Sequence, residues 1–177
     1  QHADPEILRT MKRPFDIDWV YRTIEKMRKK LPDLAIRSTF IVGYPGETEK
    51  EFSVLLKFIE EMQFDHVGAF TFSFESGTAS ESLGDPVSEE EKQERLTRLM
   101  NLQESISLRR NQTFIGKTLD VLIEGYGEGI SVGRSYRDAP EIDGLVIIEG
   151  QLPIGRIKPA LVTGALIHDL TAQLIKK

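Results

Sequence analysis

Apolar residues recur at helical spacing over several stretches of the first two thirds of the chain, and the last third changes to short runs of strand character. Asp4-Pro5-Glu6 predicts a helix start, because Asp4 can cap, Pro5 suits the first helical position and Glu6 complements the positive helix end. That helix is expected to stop near Arg13-Pro14. A second helix follows Asp16, with Ile17, Val20, Ile24, Met27 and Leu31 on one stripe, and Pro32-Asp33 breaks it. Residues 35–42, AIRSTFIV, read as a β-branched-rich strand. Thr48 and Glu51 have the spacing of a capping box, and Phe52, Leu55, Leu56, Ile59 and Met62 form the apolar face of the helix after it. Residues 66–73, HVGAFTFS, read as another strand. Ser88 and Glu91 repeat the capping-box spacing ahead of a long helix to about residue 113.

The order α-α-β-α-β-α implies parallel strands joined by crossover helices. Two parallel strands are not a finished sheet, since such sheets are normally covered on both faces and have more neighbours. With no Met at position 1, this suggests a piece of a longer α/β barrel or open sheet. After Gly116 the runs KTLDVLIE, ISVGRS, GLVIIE, PALVTGALIH and LTAQLIK are short strand candidates punctuated by Gly, Pro and Asp. They predict a small five-stranded antiparallel barrel of OB-like type. The expected domains are therefore residues 1–115, α/β, and residues 116–177, all-β.

Composition narrows the function classes. Apolar and charged contents of 40% and 29% are those of an ordinary globular protein, and no apolar run approaches the roughly 18 residues of a membrane span. The net charge of −5 divides as −4 before residue 116 and −1 after it. Neither part has the basic excess that phosphate-backbone binding prefers, and a basic protein is the better electrostatic match. The absence of cysteine removes disulfides, thiolate metal sites and Cys-held iron–sulfur clusters from these residues. His2, His66 and His168 lack metal-ligand spacing.

Four stretches carry candidate chemistry. Gly43-Tyr44-Pro45-Gly46-Glu47 is either a plain βα turn or a ligand contact, for ligands of α/β folds sit at the carboxyl ends of strands. RSYRDAPEIDG, residues 134–144, is either a solvated turn or an acidic recognition loop built from Asp138, Glu141 and Asp143, with Arg134 and Arg137 orienting it or touching the partner. QHADPEILRTMKRP, residues 1–14, places Gln1, His2, Arg9 and Arg13 near a helix start, where a lone His reads as a cap or surface residue. FSFESGTAS, residues 72–80, follows a strand end and suits a loop or a binding lip.

Taken in order, these stretches resemble the methylthiotransferase branch of radical S-adenosylmethionine (SAM) enzymes, over essentially the whole chain. IVGYPGET is common to that branch. QHA, where tRNA-modifying relatives usually read QSG, and DAPEIDG, where they tend to be basic, resemble the ribosomal-protein aspartate methylthiotransferases. Tyr44 and Phe74 stand where relatives often carry Phe and Pro. The resemblance implies the closing part of a radical-SAM (β/α) barrel followed by a TRAM domain. It implies SAM and two four-iron four-sulfur clusters as cofactors, with the cluster cysteines outside these residues, so that this stretch alone is expected to be inactive. It implies SAM contacts at Ile41, Val42 and Gly43 (adenine), Gln1 (ribose), Phe72 and Ser73 (adenine packing), and Arg13 and Arg37 (carboxylate). It implies a cytoplasmic enzyme acting on the β-carbon of an aspartate in small-subunit ribosomal protein twelve, docked through Arg134, Asp138, Glu141 and Asp143, with the ribosome a further candidate partner. A tRNA methylthiotransferase and a non-catalytic ribosome- or RNA-binding module are the alternatives.

Overall fold

The computed structural model describes residues 1–78 and 80–175. They form two compact units, Gln1–Gln103 and Glu104–Lys177. In the first unit, α1 (Pro5–Thr10) is capped by Asp4, whose side chain accepts from the N–H groups of Glu6 and Ile7. Asp16 caps α2 (Ile17–Lys30) by accepting from Trp19 N–H. Then come β1 (Arg37–Val42), α3 (Glu49–Met62) and β2 (His66–Thr71). A 3-10 turn, Glu81–Leu83, precedes α4 (Glu89–Gln112). The Thr48–Glu51 capping box is formed in full at the start of α3. At α4 the Ser88 hydroxyl accepts from Glu91 N–H, while the Glu91 carboxylate turns to Arg95.

β1 and β2 pair in parallel, Arg37 opposite His66 through Val42 opposite Thr71, as the crossover pattern predicts. β1 alternates faces. Phe40 and Val42 are buried, and Phe40 packs with Phe58 and Phe64 in a cluster of ring pairs about 6 Å apart. Helix α3 supplies Phe52, Leu55, Ile59 and Met62 to the core as its pattern predicts, but Leu56 is only half-buried and Phe58 is buried in addition. The α2 stripe is buried only at Ile24; Met27 and Leu31 are 41% and 58% exposed.

The second unit is a closed barrel in the order β3-β4-β5-β7-β6, formed by β3 (Thr118–Gly127), β4 (Ile130–Arg134), β5 (Val146–Glu149), β6 (Ile157–Ala165) and β7 (Leu170–Leu174). Inward residues such as Val121, Ile123, Val146, Ile148 and Val162 fill it. One expectation needs correction: β5 and β7 run parallel, Val146 opposite Leu170, while the other described pairings are antiparallel. An odd number of strands cannot alternate direction around a closed ring, so one like-directed pair is unavoidable. Gly133 sits beside a register shift in β3, where an added Cβ would lie 2.2 Å from the Leu122 carbonyl oxygen.

The last turns of α4 belong to the second unit. Asn111 donates to the carbonyls of Leu166 and Ile167 and accepts from the Arg137 guanidinium, which stacks 3.9 Å over the Phe114 ring. The compact unit thus begins ahead of the 115/116 change in strand and helix pattern.

Candidate functional site

The first site is a hollow of about 670 Å³ at the carboxyl ends of β1 and β2. Ile41, Tyr44, Phe72 and Phe70 give it apolar walls, and Gln1, Arg13, Thr71 and Ser73 give it polar ones. Tyr44 and Phe72 meet edge to face, 5.2 Å between centroids. Arg13 Nε donates to Gln1 Oε1 at 2.8 Å, so the two polar residues on one rim act as a pair. The Gln1 carbonyl accepts from Ile41 N–H at 2.9 Å, which lays residue 1 along the free side of β1.

Five of the expected SAM contacts, Gln1, Arg13, Ile41, Phe72 and Ser73, therefore line one hollow. Three do not. Val42 points into the core with no exposed surface, and its carbonyl accepts from Phe72 N–H. Gly43 gives its N–H to Glu47 Oε1 at 2.9 Å, and the stem of Lys92 fills the space beside its Cα. Arg37 starts β1, about 20 Å from Gly43 at the usual rise per residue, and lines a separate cleft of about 320 Å³ with Gln1 and Arg13.

Behind the hollow lies a polar network centred on Glu47. Its side chain is fully buried. Oε1 accepts from Gly43 N–H and from Arg95 at 2.8 Å, and Oε2 faces His2 Nε2 at 3.0 Å. Arg95 also donates to the Glu47 carbonyl at 3.1 Å and to Glu91. Asp4 N–H donates to His2 Nδ1, so the imidazole proton sits on Nε2 and points at Glu47. His2 is thus a buried partner rather than a cap or surface residue. The sequence pattern did not reveal this network, for its members lie 45 and 48 residues apart. The available signal was Glu47 itself, an acidic residue just past a Pro-Gly corner that the Thr48–Glu51 box does not need. Beside the network, the buried Lys92 ammonium pairs with Asp85 and Glu89 at 2.7 Å each and lies 5.7 Å from the Phe72 centroid. Burial pulls the Lys92 pKa down, but these two acceptors outweigh it and hold the pKa above the ordinary lysine value.

The second site is the loop after β4. Asp138 accepts from Ser135 N–H and Oγ, and Asp143 accepts from Ala139 N–H, so both carboxylates brace the loop's own backbone. Glu141 stands exposed at the tip with φ +67°, beside Ile142, which is 66% exposed. Arg134 pairs with Glu124 at 2.6 Å, and Arg137 is buried on Phe114. Of the four expected substrate contacts, Glu141 presents the most open charge.

The chain contains no cysteine, and the described residues hold no cluster of three or more His, Asp or Glu able to bind a metal ion. An iron–sulfur cluster therefore finds no ligand set among them. The hollow does fit a nucleoside joined to an amino acid, with aromatic and aliphatic walls for a base and an arginine for a carboxylate. Among the described residues no helix is long and apolar enough to cross a membrane.

Residues 1–59 match the radical SAM superfamily and residues 115–175 match the TRAM domain. The chain is 49% identical to the ribosomal protein uS12 methylthiotransferase RimO of Chloroflexus aurantiacus over 99% of its own length and 40% of that protein. It is 48% identical to a RimO of Thermus thermophilus, over 96% of this chain and 40% of the relative. The RimO of Shewanella oneidensis is 45% identical over 99% of this chain and 37% of that protein. The chain thus spans about two fifths of the length of the curated relatives it matches. With a radical SAM match at its start, a TRAM match at its end and this identity throughout, the chain is similar along its length to part of the ribosomal protein uS12 methylthiotransferases RimO.

Proposed function

We propose that this chain is the SAM-cradling and substrate-docking portion of a cytoplasmic enzyme that methylthiolates the β-carbon of an aspartate in ribosomal protein uS12. The observation that carries the reading is the identity of nearly half the residues along almost the entire chain with proteins of that name. The hollow supports it, because its walls suit an adenosine and its Arg13–Gln1 rim suits the polar end of SAM. SAM, with iron–sulfur clusters ligated by cysteines outside these residues, would supply the radical, sulfur and methyl chemistry. These residues bind and orient: Ile41, Tyr44 and Phe72 hold the base, Gln1 reaches the ribose, and Arg13 pairs with the carboxylate. By themselves they do not cleave SAM.

The barrel supplies docking. Net charge over residues 116–177 is −1, and Glu141 projects from an internally braced loop, which suits a basic protein better than a phosphate backbone. Calorimetry with purified uS12 tests this. Glu141→Gln is expected to weaken binding about threefold without changing the melting temperature, as loss of one rim charge does. Unchanged affinity for Glu141→Gln removes the loop from the interface. No binding of uS12 together with steeply salt-dependent tRNA binding would overturn the reading in favour of an RNA substrate.

A further inference from the structure

We infer that Glu47 is the positioning residue of the hollow: its clamp on Gly43, His2 and Arg95 holds the Gln1–Arg13 wall in register with the Ile41–Tyr44 wall, and so sets affinity for an adenosyl ligand. The inference rests on reading the hollow as a SAM site. Glu47 does not line the hollow and its side chain has no exposed surface, so it acts through other residues.

A buried carboxylate is tolerated only where charge and hydrogen bonds satisfy it. Here the donors come from three chain segments: the end of β1, the residues before α1, and α4. A turn cap alone would need only the first. The imidazole is fixed at both nitrogens, by Asp4 N–H and by Glu47, which leaves it no free rotation. The residue next to it, Gln1, bonds β1 through its carbonyl and Arg13 through its side chain. On the other side, Gly43 is pressed against Lys92, where a Cβ would come within 2.4 Å of Cγ. Neither wall can shift without breaking a bond to the one carboxylate. Pre-set walls bind a ligand more tightly because less ordering remains to be done on binding.

The test is Glu47→Gln in the intact enzyme, titrated calorimetrically with S-adenosylhomocysteine. The amide sets a donor against one of three donors, so the clamp opens at nearly constant volume. The expected result is a Kd raised about tenfold with stoichiometry near one. Arg98→Ala, on the same helix as Arg95 and paired with Glu49 at the surface, is expected to leave Kd unchanged. An unaltered Kd for Glu47→Gln overturns the inference, and so does a lowered stoichiometry at unaltered Kd, which reports loss of fold alone. Should Glu47→Gln not fold, His2→Asn removes one arm of the clamp and is read in the same way, with a smaller rise in Kd. If the unmodified enzyme does not bind S-adenosylhomocysteine, the ligand reading fails by itself. Amide exchange then decides the clamp: faster exchange at Asp4, Ile41 and Gly43 with α3 unchanged supports it, and unchanged exchange overturns it.

Discussion

At the scale of single residues, the Gly-x-x-Gly corner asks two different things of its two glycines. Gly43 has φ +72° and faces the stem of Lys92, whereas Gly46 has φ +91° and its nearest neighbour to an added Cβ, Ile7 Cδ1, is 4.0 Å away. Gly46→Ala is therefore expected to carry only the backbone strain, about 1 kcal/mol. Gly43→Ala adds a clash with a side chain pinned by two carboxylates and should lose about 3 kcal/mol. Urea denaturation of both variants checks this, and equal losses would show that Lys92 gives way. The same scale explains what could be read in advance. A strand's two-residue period puts Ile41 and Val42 on opposite faces, so only one of them could line the hollow with its side chain. That Gln1, Arg13, Phe72 and Ser73 belong together follows from motif resemblance, and all four line the hollow. That His2, Glu47 and Arg95 belong together does not, because nothing local ties residues so far apart in sequence.

At the scale of elements, caps and ion pairs set the ends of the helices. Thr48→Ala removes the hydroxyl that accepts from Lys50 N–H and donates to Glu51, leaving Glu51 only the Thr48 N–H of the box, and about 1 kcal/mol of stability should be lost. At α4 the buried Lys92 ties the first turn to Asp85. Its folded pKa lies above the ordinary lysine value, so its contribution is fully present below about pH 10 and is lost as pH rises through the raised folded value. Denaturation curves at rising alkaline pH should show stability falling in that window, and Lys92→Met should flatten the fall. Helix existence, the capping box and the parallel pairing of β1 with β2 were legible because each follows from a local pattern. The like-directed pair β5–β7 was not, since it comes from closing an odd ring rather than from any one strand.

At the scale of the whole molecule, the change from α/β to all-β pattern at Gly116 and the limit of the second compact unit at Glu104 describe different things. The pattern marks where strands begin, and the unit includes what the strands pack on. Phe114 is 5% exposed and belongs to the barrel core, and Arg137 is 5% exposed, stacked on that ring and bonded to Asn111. A chain of residues 116–177 lacks both partners. It would deprive the Arg137 guanidinium of its stack on Phe114 and its bonds to Asn111, and the carbonyls of Leu166 and Ile167 of the Asn111 amide. Residues 104–177 keep all of these. The longer piece should therefore be more stable in urea by about 3 kcal/mol or more, since a large buried ring and the acceptor of a buried cation go together. The loop from Ser135 to Asp143 follows directly on this contact, because Arg137 lies between Ser135 and Asp138, whose side chains brace each other. In the shorter piece, amide exchange at Ala139 should quicken along with the loss of stability. Equal stability of the two pieces would instead show that the barrel closes without the end of α4, and that the loop's shape owes nothing to Asn111 and Phe114.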